Sequence, residues 1–287
     1  MNREIDRNRT RRASELAGEL LEDLCLDSLP IDPLAIADGE RPLLVAKGGS
    51  LGNLFDGQLE FHRRKDRFVL LYNTKYDRPG EGMHPRTRFS LAHELGHYYL
   101  PQHNAHLRGG GASHQSRGEF TADITIEREA DAFAAGLLLP NKQLIPRVRG
   151  RELLPGLIGS LAEEFCVSWM AASLRCLEVT DSPCGLFALR DGQVAWKRVS
   201  ELVIEAGAYP YKGDRLRSAS AKGQWDRFQA GDEVAGAEET PLGSWFETYD
   251  RDHLDSVLVT EQYLAIPVMG TLLVLVTMDE EDLFPDD

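Results

Sequence analysis

Residues 88–100 read RFSLAHELGHYYL, an apolar run of helical character that carries His93 and His97 four positions apart, with Glu94 beside the first. A helix turns about 100° per residue, so the two imidazoles fall within about 40° of each other and one turn apart. Phe89, Leu91, Ala92 and Leu95 flank them, so the three polar groups sit where burial is costly unless each finds a partner. Any fold for this chain must bring to that helix face something that satisfies two imidazoles and a carboxylate together.

A metal ion would do so. Two histidines in this relation suit one tetrahedral zinc ion, which lowers the pKa of a bound water to about 7. Glu94 is then placed to take that water's proton and pass it to a leaving amine, which is the chemistry of peptide-bond hydrolysis. A pair of structural histidines is the plainer alternative. A catalytic zinc also needs a third protein ligand and an open fourth position. Glu127, at the start of EREADAFAAGLLLP, shares a helical meridian with Ala130, Ala134 and Leu138 and so projects from the apolar face. Glu129 is rotated about 200° from it, and Asp131, one turn on, is placed to accept the second ring N–H of a ligating histidine. Without a metal, Glu127 is a solvated carboxylate favoured by the helix dipole.

His103 stands six residues after His97, the position of the third histidine in HExxHxxGxxH enzymes, but the glycine that such a turn needs is replaced by Leu100. His103 is therefore expected in a loop beside substrate, with His106 and His114 on the surface. Tyr98 and Tyr99 are expected to pack beside the helix as amphipathic side chains. Zinc is the expected metal, and a His₂Glu set also admits manganese.

The chain has 287 residues, more than one average domain, so two domains or one with a large appendage are expected. Its net charge of −14 repels nucleic acid on average and argues against nonspecific DNA binding. The basic start MNREIDRNRTRR runs into the amphipathic SELAGELLEDL and does not read as a secretory signal. No window approaches the roughly 18 apolar residues of a membrane span, so no membrane partner is expected. Cys25, Cys166, Cys176 and Cys184 lack the spacing of a zinc ribbon and read as reduced thiols of a cytoplasmic protein.

Along the chain, an amphipathic helix over 12–26 precedes strands at LLVAK, GQLEF and RFVLLYN, and the helix of the histidines follows them. Pro101 is expected to end that helix and open the loop QHNAHLRGGGASHQSRGEF. A helix from about 125 to 139 and the helical pair LLPGLIGSLAEEF and SWMAASLRCLE come next. From about 182 the pattern turns to strands: GLFAL and QVAWKRV across the turn Arg190-Asp191-Gly192, and later SVLVTEQYLAIPVM and TLLVLVTM across Gly270.

The succession LPIDPLAIAD, RFSLAHELGHYYL, EREADAFAAGLLLP and LAEEFCVSWMAASLR resembles the ImmA/IrrE family of metallopeptidases over roughly residues 12–178. The resemblance implies an α+β fold: a zincin-like, mainly helical metallopeptidase domain with a small sheet over 1–145, a helix-turn-helix-like segment over 146–180, a C-terminal α/β, GAF-like sensor domain over 181–280, and an acidic tail over 281–287. By matching positions it implies that His93, His97 and Glu127 hold the metal and that Glu94 is the catalytic base. It also implies a cytoplasmic endopeptidase that cuts a helix-turn-helix transcriptional repressor in a stress, DNA-damage or mobile-element response, gated by the C-terminal domain. The signal at that domain stays open between a small ligand, single-stranded DNA and another protein. In residues 151–178 Arg151 and Arg175 stand against Glu152, Glu163, Glu164 and Glu178, a poor surface for phosphates, so the helical segment is read as structural or substrate-docking. Two rivals remain: a non-catalytic regulator with a structural zinc that binds a repressor or nucleic acid, and a toxin–antitoxin or phage-defence protease.

Overall fold

The computed structural model describes residues 2–110, 115–116, 125–234, 236–249 and 252–284. His114 and residues 285–287 of the expected acidic tail lie outside the described residues. The fold is α+β and divides into two compact units, Met1–Gln143 with Ala162–Ala171, and Leu144–Leu161 with Ala172–Asp287. No single helix among the described residues is long and apolar enough to cross a membrane.

The first unit runs α1 (Asn2–Asp23), α2 (Pro33–Gly39), β1 (Leu44–Gly49), β2 (Gly57–His62), β3 (Arg67–Asn73), α3 (Pro85–Tyr99), α4 (Pro101–Arg108), β4 (Gln115–Ser116) and α5 (Thr125–Leu138). Asp32 caps α2 by accepting from the Leu34 N–H at 2.9 Å, and Pro33 takes the first turn, where its missing N–H costs nothing. The sheet order is β1-β3-β2-β4, with β1 parallel to β3 and the other pairs antiparallel. Alternation along β3 buries Phe68, Leu70 and Tyr72 on one face. Helix α3 lies on that face, where the rings of Phe68 and Tyr98 meet edge-on at 5.3 Å.

Two buried polar side chains anchor this arrangement. Asn73 donates to the carbonyls of Gly52 at 2.9 Å and Phe55 at 2.8 Å, which ties the loop after β1 to the end of β3. Arg88, only 6% exposed, donates to the carbonyls of Ile31 and Cys166 and so fixes the first turns of α3. Both bonds involve a charged donor, the stronger class of protein hydrogen bond.

Pro101 does not open a loop. The break is at Leu100, whose φ of −69° and ψ of 116° leave the helical region, and Pro101 begins α4. Proline lacks an N–H and has its φ preset, so it ends one helix by starting the next.

Helices α6 (Asn141–Val148), α7 (Pro155–Glu164) and α8 (Trp169–Val179) follow, and the unit boundaries fall inside all three. Between α7 and α8 the chain turns at Cys166, at a φ of 52°.

The rest of the second unit comprises β5 (Cys184–Arg190), β6 (Gln193–Val199), α9 (Glu201–Glu205), β7 (Ala208–Pro210), α10 (Ala219–Ala230), β8 (Ala237–Pro241), β9 (Phe246–Thr248), β10 (Leu258–Ile266), β11 (Thr271–Thr277) and α11 (Glu280–Leu283). Its main sheet has the order β6-β5-β11-β10-β8, and every pairing is antiparallel, unlike the parallel sheets of α/β folds. Asp191 and Gly192 join β5 to β6 with φ values of 53° and 72°, the two positive angles that a tight hairpin turn requires. Every residue of β11 is buried, so the central strand reads as a continuous apolar run. Phe187, Trp245 and Phe246 fill the core beneath it, with Phe187 and Trp245 at 4.3 Å. Helix α11 packs through Leu283, which is 2% exposed.

Candidate metal centre

The site lies wholly in the first unit, where α5 crosses α3. Contact is close because Gly96 stands at the crossing: a Cβ there would lie 3.1 Å from the Ala130 Cα and 3.2 Å from its carbonyl oxygen. That approach brings the start of α5 over the histidines of α3.

His93, Glu94 and His97 are 4%, 0% and 1% exposed. The Nε2 atoms of the two histidines are 3.1 Å apart. Glu127, in the first turn of α5, sets one carboxylate oxygen 3.3 Å from His93 Nε2 and the other 3.6 Å from His97 Nε2. These three residues offer donor atoms that all lie within 4.8 Å of one another, and among the described residues no other group does so. Two imidazole nitrogens and a carboxylate oxygen at this spacing fit a divalent cation with a fourth position left for a reactant, as in His₂Glu zinc sites.

Asp131 is also at the site. Its Oδ1 lies 2.8 Å from His93 Nδ1, so the ring donates its Nδ1–H there and directs Nε2 to the side where Glu127 stands. Burial alone would lower the His93 pKa, but the bonds to Asp131 and Glu127 and the charges of Glu94 and Asp131 carry it up to about 10. The carboxylates therefore favour positive charge at this ring, which is what a cation site requires.

One expectation needs correction. His103 is not in a loop: it lies in α4 at 4% exposure, with Nδ1 3.1 Å from His97 Nδ1 and Nε2 2.9 Å from a Glu129 oxygen. Glu129 points away from Glu127, as its spacing implies, onto a side of α5 that α1 and α4 cover, and it is 7% exposed. Arg9 on α1 donates to it from Nε at 2.5 Å and from Nη2 at 3.0 Å. Burial would raise the pKa of Glu129, but Arg9 and His103 outweigh it and hold the carboxyl below its ordinary value. Burial pulls the pKa of His103 down, with Glu129 opposing. Sequence spacing shows that Glu129 faces away from Glu127, but not what it meets there; an arginine 120 positions upstream gives no local signal.

The remaining candidates lie elsewhere. His106 is exposed on α4. The Tyr98 and Tyr99 hydroxyls both donate to Glu40, at 2.9 and 2.8 Å.

Residues 81–177 match the family model described as Peptidase_M78, the IrrE N-terminal-like domain. No curated protein matches the chain. Among solved structures, a Mycobacterium tuberculosis transcriptional regulator is similar with a TM-score of 0.55 over 96% of this chain and 78% of its own, at 12% identity, a likeness of fold alone.

Proposed function

Starting from an IrrE N-terminal-like domain of the M78 peptidases at residues 81–177, we propose that this chain is a zinc-dependent endopeptidase that acts on a transcriptional repressor of the helix-turn-helix type. The convergence of His93, His97 and Glu127 within 4.8 Å carries the reading. In it, those three residues hold the metal, Asp131 keeps His93 presenting Nε2, and Glu94 is the base. Zinc, or manganese in its place, supplies the Lewis acidity that activates water and polarises a scissile carbonyl. Glu94 takes the proton from the attacking water on a carboxylate oxygen and returns it to the departing amine. Its complete burial beside the two imidazoles favours such a transfer, because a proton relay works best when bulk water cannot intervene.

The second unit serves as a GAF-like sensor that gates cleavage in a stress or DNA-damage response. Its antiparallel sheet above an aromatic core supports a ligand-responsive module. Direct DNA reading by α7 and α8 is disfavoured, because Arg175 is spent on Glu178 of its own helix at 2.6 Å.

The test is cleavage of the helix-turn-helix repressor encoded nearest this gene, with zinc or manganese added, by wild type and Glu94→Gln. Cleavage by the wild type alone is the expected result. Equal cleavage by both would remove Glu94 from the mechanism.

A further inference from the structure

His93 and His97 are held from behind in different ways. His93 leans directly on a carboxylate, Asp131. Behind His97 stands another imidazole, His103, and then Glu129 and Arg9. We propose that His103, Glu129 and Arg9 form a positioning chain that locks His97 in the tautomer able to bind a metal through Nε2, a proposal that rests on the metal-site reading above.

The proton arrangement follows from the contacts. Facing Nδ1 atoms 3.1 Å apart share one proton, because two lone pairs or two N–H groups would repel. Were that proton on His103, its Nε2 would carry a lone pair and face a carboxylate oxygen at 2.9 Å, acceptor against acceptor. The proton therefore belongs to His97: its Nδ1–H donates to His103 Nδ1, and His103 Nε2–H donates to Glu129. Two N–H groups of Arg9 then satisfy Glu129 from the far side. With its proton fixed on Nδ1, His97 presents the Nε2 lone pair to the side where His93 and Glu127 wait.

Helix α5 thus supplies the candidate ligand Glu127 and, at positions 129 and 131, the supports of both histidines. Through Arg9 the chain extends to α1, 120 residues away in sequence, so the N-terminal helix is part of the site.

The test measures the zinc dissociation constant of the full chain by competition with a chromogenic chelator, together with the cobalt d–d spectrum and the melting temperature of the metal-free protein. His103→Leu removes both acceptor and donor, and its affinity falls about 10- to 100-fold, as for other residues that orient metal ligands. His103→Gln offers an amide oxygen to His97 and an N–H to Glu129, and it restores most of that loss. The double variant His103→Leu/Glu129→Leu removes the stranded carboxylate and recovers the melting temperature, but not the zinc affinity or the cobalt spectrum. Wild-type affinity in the double variant overturns the positioning chain and leaves the metal site standing. A wild-type protein that binds zinc no better than His93→Ala overturns the site itself, and the chain with it.

Discussion

Gly96 and Ala130 meet where α3 and α5 cross, and a Cβ on the glycine would stand 3.1 Å from the alanine's Cα. The glycine inside the His-Glu-x-x-His stretch is therefore a spacing device, because it sets how far Glu127 stands from the two imidazoles. Alanine at position 96 gains about 1 kcal/mol of helix propensity. Its methyl group nevertheless meets backbone atoms that cannot rotate aside, an overpacking that costs about 1–3 kcal/mol. Gly96→Ala is expected to be net destabilising in urea titrations and to weaken zinc binding more than its fold. Unchanged zinc affinity would show that α5 shifts without moving Glu127.

Asp131 fixes His93 as the chain through His103 fixes His97, but by a direct bond of 2.8 Å. Asp131→Ala should lower zinc affinity about 10- to 100-fold. Because Asp131 is half-exposed, the stability of the metal-free protein should change little. Chelator competition and thermal melting on the same samples separate the two effects.

Arg88 holds the first turns of α3 through the carbonyls of Ile31 and Cys166. Replacement by leucine strands those carbonyls and should cost about 2–4 kcal/mol, from two lost bonds to a charged donor. The midpoint of urea unfolding reports it. A loss under 1 kcal/mol would mean that water replaces the guanidinium.

Burial pushes the Cys176 thiol up to about 12, and burial against an opposing Ser200 bond does the same for Cys184. Both pKa values lie above the ordinary 9.0, so their contribution to stability is complete below about pH 9 and is lost as pH rises through about 12. The melting temperature should hold up to about pH 9 and then fall, with a shallower fall in Cys184→Ala. At pH 8 a thiol reagent should modify exposed Cys25 within the folded state and reach Cys176 and Cys184 only after denaturant is added.

Much of the architecture is written locally. The run of large apolar residues in RFVLLYN reads as an extended strand, and Asp191-Gly192 reads as a hairpin turn because both residues take positive φ at low cost. Pro101 shows where such reading stops. A proline marks a helix boundary, but whether the helix before it ends or the one after it begins depends on what the following segment packs against.

At the metal centre the division is similar. Helical periodicity alone sets His93 and His97 on one face and turns Glu127 and Asp131 to the same side of α5, because 3.6 residues per turn leaves no other arrangement. Which helix crosses which, at what distance, and what covers the far side of α5 was decided by tertiary packing. Spacing turns Glu129 away from Glu127 but says nothing of the Arg9 that α1 brings against it, and His103 reads as a loop residue until α4 folds it behind His97. The physical reason is range: backbone periodicity acts over a few residues, whereas the Arg9–Glu129 pair closes over 120.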